Sequence, residues 1–252
     1  MRNDANRYGP LAVCYDGFTR DVDYVRWADY IEAHFRKQRR PVKMVLDLAC
    51  GTGTLSWLLA ERGYEVIGVD FSPDMLAQAM EKALPTPGPP PLFLCQPMEA
   101  LDLYGTVDAC ICMLDSANHV TEPRLLRRAM ERVHLFLEPG GLFLFDVLSP
   151  SHLEGLDGGL FLDETEDALC VWRTEYDKRR RLCTYAMDLF LREGGLWRRE
   201  EELHQEYAYT ADMLEDFLKS TGFERIQRHG TLKMRPPVEA DSRLFFTAHK
   251  KG

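Results

Sequence analysis

The sequence predicts an α/β protein with a parallel sheet covered by helices on both faces. Three observations carry that reading. Short apolar runs at Lys43–Leu48, Glu65–Val69, Leu92–Cys95, Val107–Met113 and Leu142–Leu148 alternate with segments of helical periodicity. Strands separated by crossover helices pair in parallel. The chain has 252 residues, 45% hydrophobic and 11% aromatic, enough for a sizeable core and too apolar for disorder.

The elements follow in order. Val22, Val25, Trp27, Ala28, Ile31 and Phe35 recur at helical spacing, and the helix stops at the basic cluster Arg36–Arg40 and Pro41. Leu55–Glu61 is a helix after the first strand. Pro73–Lys82 is another, opened by Ser72 as N-cap with proline in the first turn. Pro85–Pro91 is a stiff connector. Arg124–Leu137 is a helix ended by Pro139-Gly140-Gly141. From Ala168 the pattern becomes an antiparallel meander, with strands at Leu169–Tyr176, Leu182–Leu191 and Trp197–Tyr209. The helix Ala211–Ser220 and the strands Phe223–His229 and Leu244–His249 then close the sheet. The expected division is residues 1–150 for an N-terminal arm and the main part of the ligand-binding domain. Residues 151–210 form a β insert covering the site, and residues 211–252 complete the sheet.

A formal charge of −9 disfavours sequence-independent binding of nucleic acid. No apolar run reaches the ~18–20 residues of a membrane span. Residues 1–8 lack a signal-peptide apolar region, and the seven cysteines have no disulfide-like spacing, so the expectation is a cytoplasmic protein with reduced thiols. Cys110 and Cys112 share one strand face and are expected in the core. Asp163, Glu164, Glu166 and Asp167 read as a solvated loop, and no metal is expected.

The chemistry concentrates in Asp47-Leu48-Ala49-Cys50-Gly51-Thr52-Gly53. A buried strand delivers a carboxylate, then a glycine turn, then a helix N-terminus with free N–H groups. Asp70 ends the second strand, where an ionised carboxylate suits two ribose hydroxyls. A dinucleotide site would want a third glycine, and its pyrophosphate would be repelled by Asp47. A ligand with an ammonium and a sulfonium would welcome Asp47, and S-adenosylmethionine has both.

These segments, with Val69-Asp70-Phe71-Ser72 and Leu137-Glu138-Pro139-Gly140-Gly141, resemble the signatures of class I S-adenosylmethionine-dependent methyltransferases. The N-terminal arm with Tyr8, Tyr15 and Asp16, the insert with Glu202 and His204, and the ending Ser242–Phe246 resemble a branch of small bacterial members whose substrates are mostly unassigned. The insert is similar in placement to that of glycine N-methyltransferase-like enzymes. The resemblance implies a Rossmann-like sheet of order 3-2-1-4-5-7-6 with strand 7 antiparallel. It implies that Asp47 and the backbone around Ala49, Cys50, Gly51 and Gly53 hold the methionine part, and that Asp70 holds the ribose. Phe71 and Met75 would flank adenine, and Gln96-Pro97-Met98 would read its edge. Pro97 stands where the family usually has an acidic residue. Met113 and Leu114 would lie where cofactor and acceptor meet, with Tyr15 and Trp27 as lid contacts.

Methyl transfer from a sulfonium is an in-line displacement, so positioning dominates, and a base is needed only where the acceptor must lose a proton. Asp115, His119 and His204 are the catalytic candidates. Tyr8, Asn118, Asp146, Glu202 and Tyr209 are the acceptor-binding candidates. The expected product is S-adenosylhomocysteine and the expected acceptor a small molecule. The alternatives are a tRNA or other RNA methyltransferase, for which Arg36–Arg40, Arg124–Arg128 and Lys178–Arg181 would have to ring the site, and a non-catalytic cofactor-binding protein. A nicotinamide-dependent oxidoreductase is disfavoured by Asp47 and the missing glycine.

Overall fold

A computed structural model describes residues 8–252; the first seven residues of the expected N-terminal arm lie outside the described residues. Two sheets organise the chain. The first has seven strands: β1 (Met44–Leu48), β2 (Glu65–Asp70), β3 (Leu92–Cys95), β4 (Val107–Cys112), β5 (Leu137–Leu148), β10 (Phe223–His229) and β11 (Arg243–Lys250). Their order is β10-β11-β5-β4-β1-β2-β3, and only β11 runs antiparallel to its neighbours. This is the expected 3-2-1-4-5-7-6 arrangement.

Period-two patterning assigns the two faces. Leu46, Leu48, Cys110, Cys112, Phe143, Phe145 and Phe246 point to one side, where they pack with α5 (Pro123–Phe136) and α7 (Ala211–Ser220). Val45, Ala109, Ile111, Leu142, Leu144 and Phe245 point to the other, under α2 (Tyr24–Phe35) and α3 (Thr54–Glu61). Cys110 and Cys112 are therefore core residues. α4 (Pro73–Glu81) is opened by Ser72, whose hydroxyl accepts the Met75 N–H. No helix among the described residues is long and apolar enough to cross a membrane.

The second sheet is a meander of four strands, not three: β6 (Leu160–Glu164), β7 (Ala168–Asp177), β8 (Leu182–Glu193) and β9 (Leu196–Tyr207). β6 takes in Asp163 and Glu164, expected in a loop. It is an edge strand on which Glu164 is exposed and the half-buried Asp163 accepts the Trp172 indole N–H at 2.8 Å. Two short helices also went unread. α1 (Pro10–Phe18) packs Leu11 and Cys14 on Cys170, Leu189 and Leu191 of the meander. α6 (Pro150–Gly155) is capped by Ser149. β5 begins at Leu137 and passes through Pro139-Gly140-Gly141 with a register shift against β4.

The turn after β1 fixes two glycines by different causes. Gly53 is the N-cap of α3 with φ +71°, and a Cβ there would stand 2.9 Å from Ala79 Cβ and from Phe93 Cζ. Gly51 has φ +54°, but nothing lies within 4 Å of its Cβ position. Gly53→Ala should cost about 2–4 kcal/mol, combining left-handed backbone strain with overpacking. Gly51→Ala should cost only the backbone part, about 1–2 kcal/mol. Urea denaturation midpoints of the two variants check the ranking.

Candidate active site

The strand order reverses between β1 and β4, which opens a crevice at the carboxyl ends of the parallel strands. The turn Ala49–Gly53 sits there. Ala49 and Gly51 take positive φ, the Cys50 N–H donates to Val69 O (3.0 Å), and the Gly53 N–H donates to Cys50 O (2.9 Å). The backbone so exposed is a bed for a ligand.

Two buried carboxylates flank it. Asp47 is 2% exposed and accepts from the Ser56 hydroxyl at 2.6 Å. Burial, with a smaller contribution from Asp70, pushes its pKa up to about 6 against the lowering effect of Ser56. Asp70 accepts the N–H of Gly51 (2.9 Å) on one oxygen and of Ser72 (2.8 Å) on the other. Burial raises its pKa too, and these bonds oppose the rise. Each Asp70 oxygen keeps a second lone pair for a hydroxyl.

A cavity of about 300 Å³ extends from this turn. Tyr8, Tyr15 and Tyr24 wall one side, and Phe71, Met75 and the segment Gln96–Glu99 wall another. Gln96 is locked by its side-chain amide, which donates to Asp102 O (3.1 Å) and accepts the Asp102 N–H (2.8 Å). Glu99 brings a carboxylate to this wall two residues after Pro97. Asp47, Asp70, Glu99, Asp115 and Glu122 all line the cavity, and no lysine or arginine is among its lining residues.

The far end lies beyond β4. Leu114 and Asp115 both hold left-handed φ, near +58° and +55°, a strained geometry for residues with a Cβ. The Asp115 N–H donates to Asp146 Oδ2 at 3.0 Å. Arg243 bridges the two carboxylates, 2.6 Å from Asp115 Oδ1 and in direct contact with Asp146. Burial pushes the Asp146 pKa up to about 6 despite Arg243. His119 Nε2 faces the Tyr8 hydroxyl (3.1 Å), Glu206 Oε1 (3.5 Å) and Asp115 Oδ2 (3.8 Å). Burial lowers the His119 pKa to about 4; Asp115 and a hydrogen bond to the Gln205 backbone work the other way. One ligand atom from each of Asp115, His119 and Glu206 falls within 4.8 Å of the others.

The structure thus gathers Tyr8, Tyr15, Asp47, Ala49, Cys50, Gly51, Asp70, Phe71, Met75, Gln96, Pro97, Met98, Met113, Leu114, Asp115 and His119 around one cavity. The remaining candidates lie outside its lining. Gly53 serves the helix junction described above. Trp27 packs on Phe245 at 5.4 Å and lies under the Arg243 guanidinium. The Asn118 side chain accepts the Leu148 N–H (3.0 Å) and donates to Tyr207 O (3.0 Å), which ties β5 to the end of the meander. The Tyr209 hydroxyl donates to Val120 O at 2.5 Å. Asp146 is fully buried beneath Asp115. His204 pairs with Glu202 at 2.7 Å, and its ring stands 4.4 Å from that of Tyr8. Sequence reading missed Glu99, Glu206 and Arg243 as site residues. Arg243 alone had a signal, in the ending Ser242–Phe246.

Residues 45–141 match the family described as "Methyltransferase domain". The putative methyltransferase YqeM of Bacillus subtilis is 31% identical over 245 residues, 96% of this chain and 97% of that protein. An S-adenosylmethionine-dependent methyltransferase from Clostridium acetobutylicum superposes with a TM-score of 0.84 at 27% identity, covering 98% of this chain and all of the other. The sugar N-methyltransferase KedS8 from a Streptoalloteichus species shares the fold, with a TM-score of 0.79 at 22% identity over 100% of this chain and 96% of its own. The buried carboxylates flanking the glycine turn, the seven-stranded order and these likenesses agree: the chain belongs to the class I S-adenosylmethionine-dependent methyltransferases, among the small bacterial members related to YqeM.

Proposed function

We propose that this enzyme methylates a small-molecule acceptor and that His119 serves as its base. The observation that carries this reading is the charge of the cavity wall, which is acidic and holds no lysine or arginine. A polyanionic RNA would have to approach that wall against its charge. Arg36, Arg124 and Lys178 of the three basic clusters pair with Glu32, Glu122 and Glu154, and no basic side chain of the three clusters lines the cavity, although Leu125 of the second does. The likeness to a sugar N-methyltransferase supports the same acceptor class.

S-adenosylmethionine supplies a methyl group already activated by its sulfonium. The residues present fit it. Gly51 leaves its Cβ position open to a ligand, and Asp47 is a buried acid awaiting a cation. Asp47 and the backbone of Ala49–Gly51 would hold the methionine part, Asp70 the ribose, and Phe71, Met75 and Met98 the adenine, with Glu99 the nearby carboxylate that would replace the contact Pro97 cannot make. The acceptor sits between Leu114 and His119, with Tyr8 and Tyr15 excluding water. His119 is neutral at pH 7 because burial disfavours its charge, and its Nε2, which faces the Tyr8 hydroxyl, is the atom that would take a proton. The meander, residues 160–207, backs this end of the site through Glu206 and His204. Seven free cysteines fit a cytoplasmic setting.

Incubation with methyl-labelled cofactor, a fractionated metabolite extract and total tRNA tests the acceptor class. Label is expected in the metabolite fraction; label confined to tRNA overturns it. A chain that binds cofactor but labels neither would be the non-catalytic alternative. His119→Gln should lower kcat by about 10²–10⁴, with S-adenosylhomocysteine affinity held within about twofold by calorimetry. Asp47 gives a pH prediction. A cationic ligand prefers the ionised carboxylate, so cofactor affinity is full from about one pH unit above the Asp47 pKa of about 6 and falls as the pH drops through that value. Asp47→Asn should flatten most of that slope, leaving the part due to Asp70, and weaken binding at pH 8 by about tenfold, some 1.4 kcal/mol. Calorimetric titrations at pH 5, 6, 7 and 8 check it.

A further inference from the structure

We infer that β9, an edge strand of the meander, is a docking surface for β9 of a second copy of this chain, paired antiparallel about a two-fold axis at Glu200. β9 ends the order β6-β7-β8-β9, so one side of its backbone faces no strand of the sheet. An open edge twelve residues long is a template for another strand unless something blunts it. Its two ends differ. Near the carboxyl end the main domain covers it: the Tyr207 N–H donates to Asn118 O at 2.8 Å, and the Gln205 backbone bonds to His119. Along residues 196–204 no backbone group is hydrogen-bonded to a described segment other than β8. The middle of that open stretch is Glu200. Edges that avoid association carry lysines, prolines or bulges. Residues 196–204 contain no lysine or proline and pair with β8 without a register shift.

Charge complementarity selects the occupant and the register. The Ala208 N–H donates to Arg181 O on the β8 side, while the Tyr207 N–H points away from it. Alternation then turns the N–H and C=O groups of Trp197, Arg199, Glu201 and Leu203 outward. A two-fold axis normal to a sheet keeps each face on its own side, so residues that meet across it share parity. With the axis at Glu200, Arg199 meets Glu201 and Trp197 meets Leu203, each pair twice. Trp197 and Leu203 are 51% and 45% exposed in the single chain. On the other face Arg198 meets Glu202. The two Glu200 carboxylates face each other across the axis, each already paired with Arg198 of its own chain. An axis at Arg199 would set Arg199 against itself and Trp197 against Glu201. An axis at Glu201 would set Glu201 against itself and Arg199 against Leu203. Of the three, the register at Glu200 alone matches opposite charges and apolar groups together. Its four outward pairs add about eight hydrogen bonds between the copies, and the two four-stranded meanders become one continuous sheet. The contact also reaches α1, because Arg198 of one copy meets Glu202 of the other, the carboxylate that accepts the Leu11 N–H and pairs with His204.

The test is sedimentation equilibrium of the full chain over a range of concentrations, with charge swaps. The wild type is expected to reach twice the chain mass as its concentration rises. Glu201→Arg, at a side chain 71% exposed, should weaken association about tenfold or more. Arg199→Glu should do the same, since either change sets like charges at both Arg199–Glu201 contacts. Mixed in equal amounts, one variant brings two guanidinium groups and the other two carboxylates, so the mixture should recover the dimer. Hydrogen exchange at the amides of Arg199, Glu201 and Leu203 should slow as the dimer forms. A wild-type chain that stays monomeric, a Glu201→Arg dimer of unaltered affinity, a mixture of folded variants that does not associate, or a dimer with unaltered exchange at these amides would each overturn the inference. Arg199 also pairs with Asp188. Should Arg199→Glu fail to fold for that reason, by circular dichroism, Glu201→Arg and the exchange measurement decide the question.

Discussion

The geometry of the cavity's far end depends on one buried ion cluster. Arg243 reaches from the antiparallel strand β11 to Asp146 on β5 and to Asp115 in the loop after β4. Three pieces of backbone far apart in sequence are therefore fixed to one guanidinium. Removing one member of such a cluster typically costs about 3–5 kcal/mol, because the partner is left charged and dry. The register of β11 on β5, with Arg243 opposite Leu148 and Phe245 opposite Asp146, delivers the guanidinium to that spot. Asp146 in turn accepts the Asp115 N–H and so helps hold two consecutive residues in left-handed backbone. Strain of this kind persists only where the surroundings over-determine it. Here it turns the Asp115 carboxylate toward His119.

An imbalance of charge runs along the whole cavity. Carboxylates stand at both ends, at Asp47 and Asp70 near the glycine turn and at Asp115 and Glu122 beyond β4. Burial raises the pKa of Asp47, Asp70, Asp146 and Glu206. Of these acids Asp47 and Asp70 line the cavity, where an entering cation would favour their ionised forms and relieve part of a desolvation penalty already present in the folded chain.

Much of the fold was legible because periodicity and punctuation are local signals. The alternation of strands and helices, Ser72 as a cap and the glycine turn all depend on residues within a few positions of one another. α1 escaped because it is short and its buried side faces the meander, so its pattern makes sense only with partners from β7 and β8, far later in the chain. β6 escaped because an edge strand tolerates acidic residues. At the site, motif positions such as Asp47 and Asp70 could be placed because the strand ends place them. Asn118, Tyr209 and Trp27 have polar or aromatic side chains near the right strands, yet packing turns them to structural partners. Glu206 and Arg243 contribute through pairings across 87 and 128 residues, from His119 and Asp115 respectively. No spacing rule within the chain announces such pairings.

The N-terminal helix shows how the two ends of the site are joined. Asp16 on α1 accepts from the Thr52 hydroxyl at 2.6 Å and pairs with Lys82 at 2.7 Å, so it grips the glycine turn and the end of α4. At the other end of the same helix, the Leu11 N–H donates to Glu202 at 2.7 Å, and Glu202 holds His204. Just before it, Tyr8 reaches His119. A nine-residue helix thus spans from the cofactor turn to the meander. Its first-turn N–H groups have no partner inside the helix, so a carboxylate from β9 is an apt anchor.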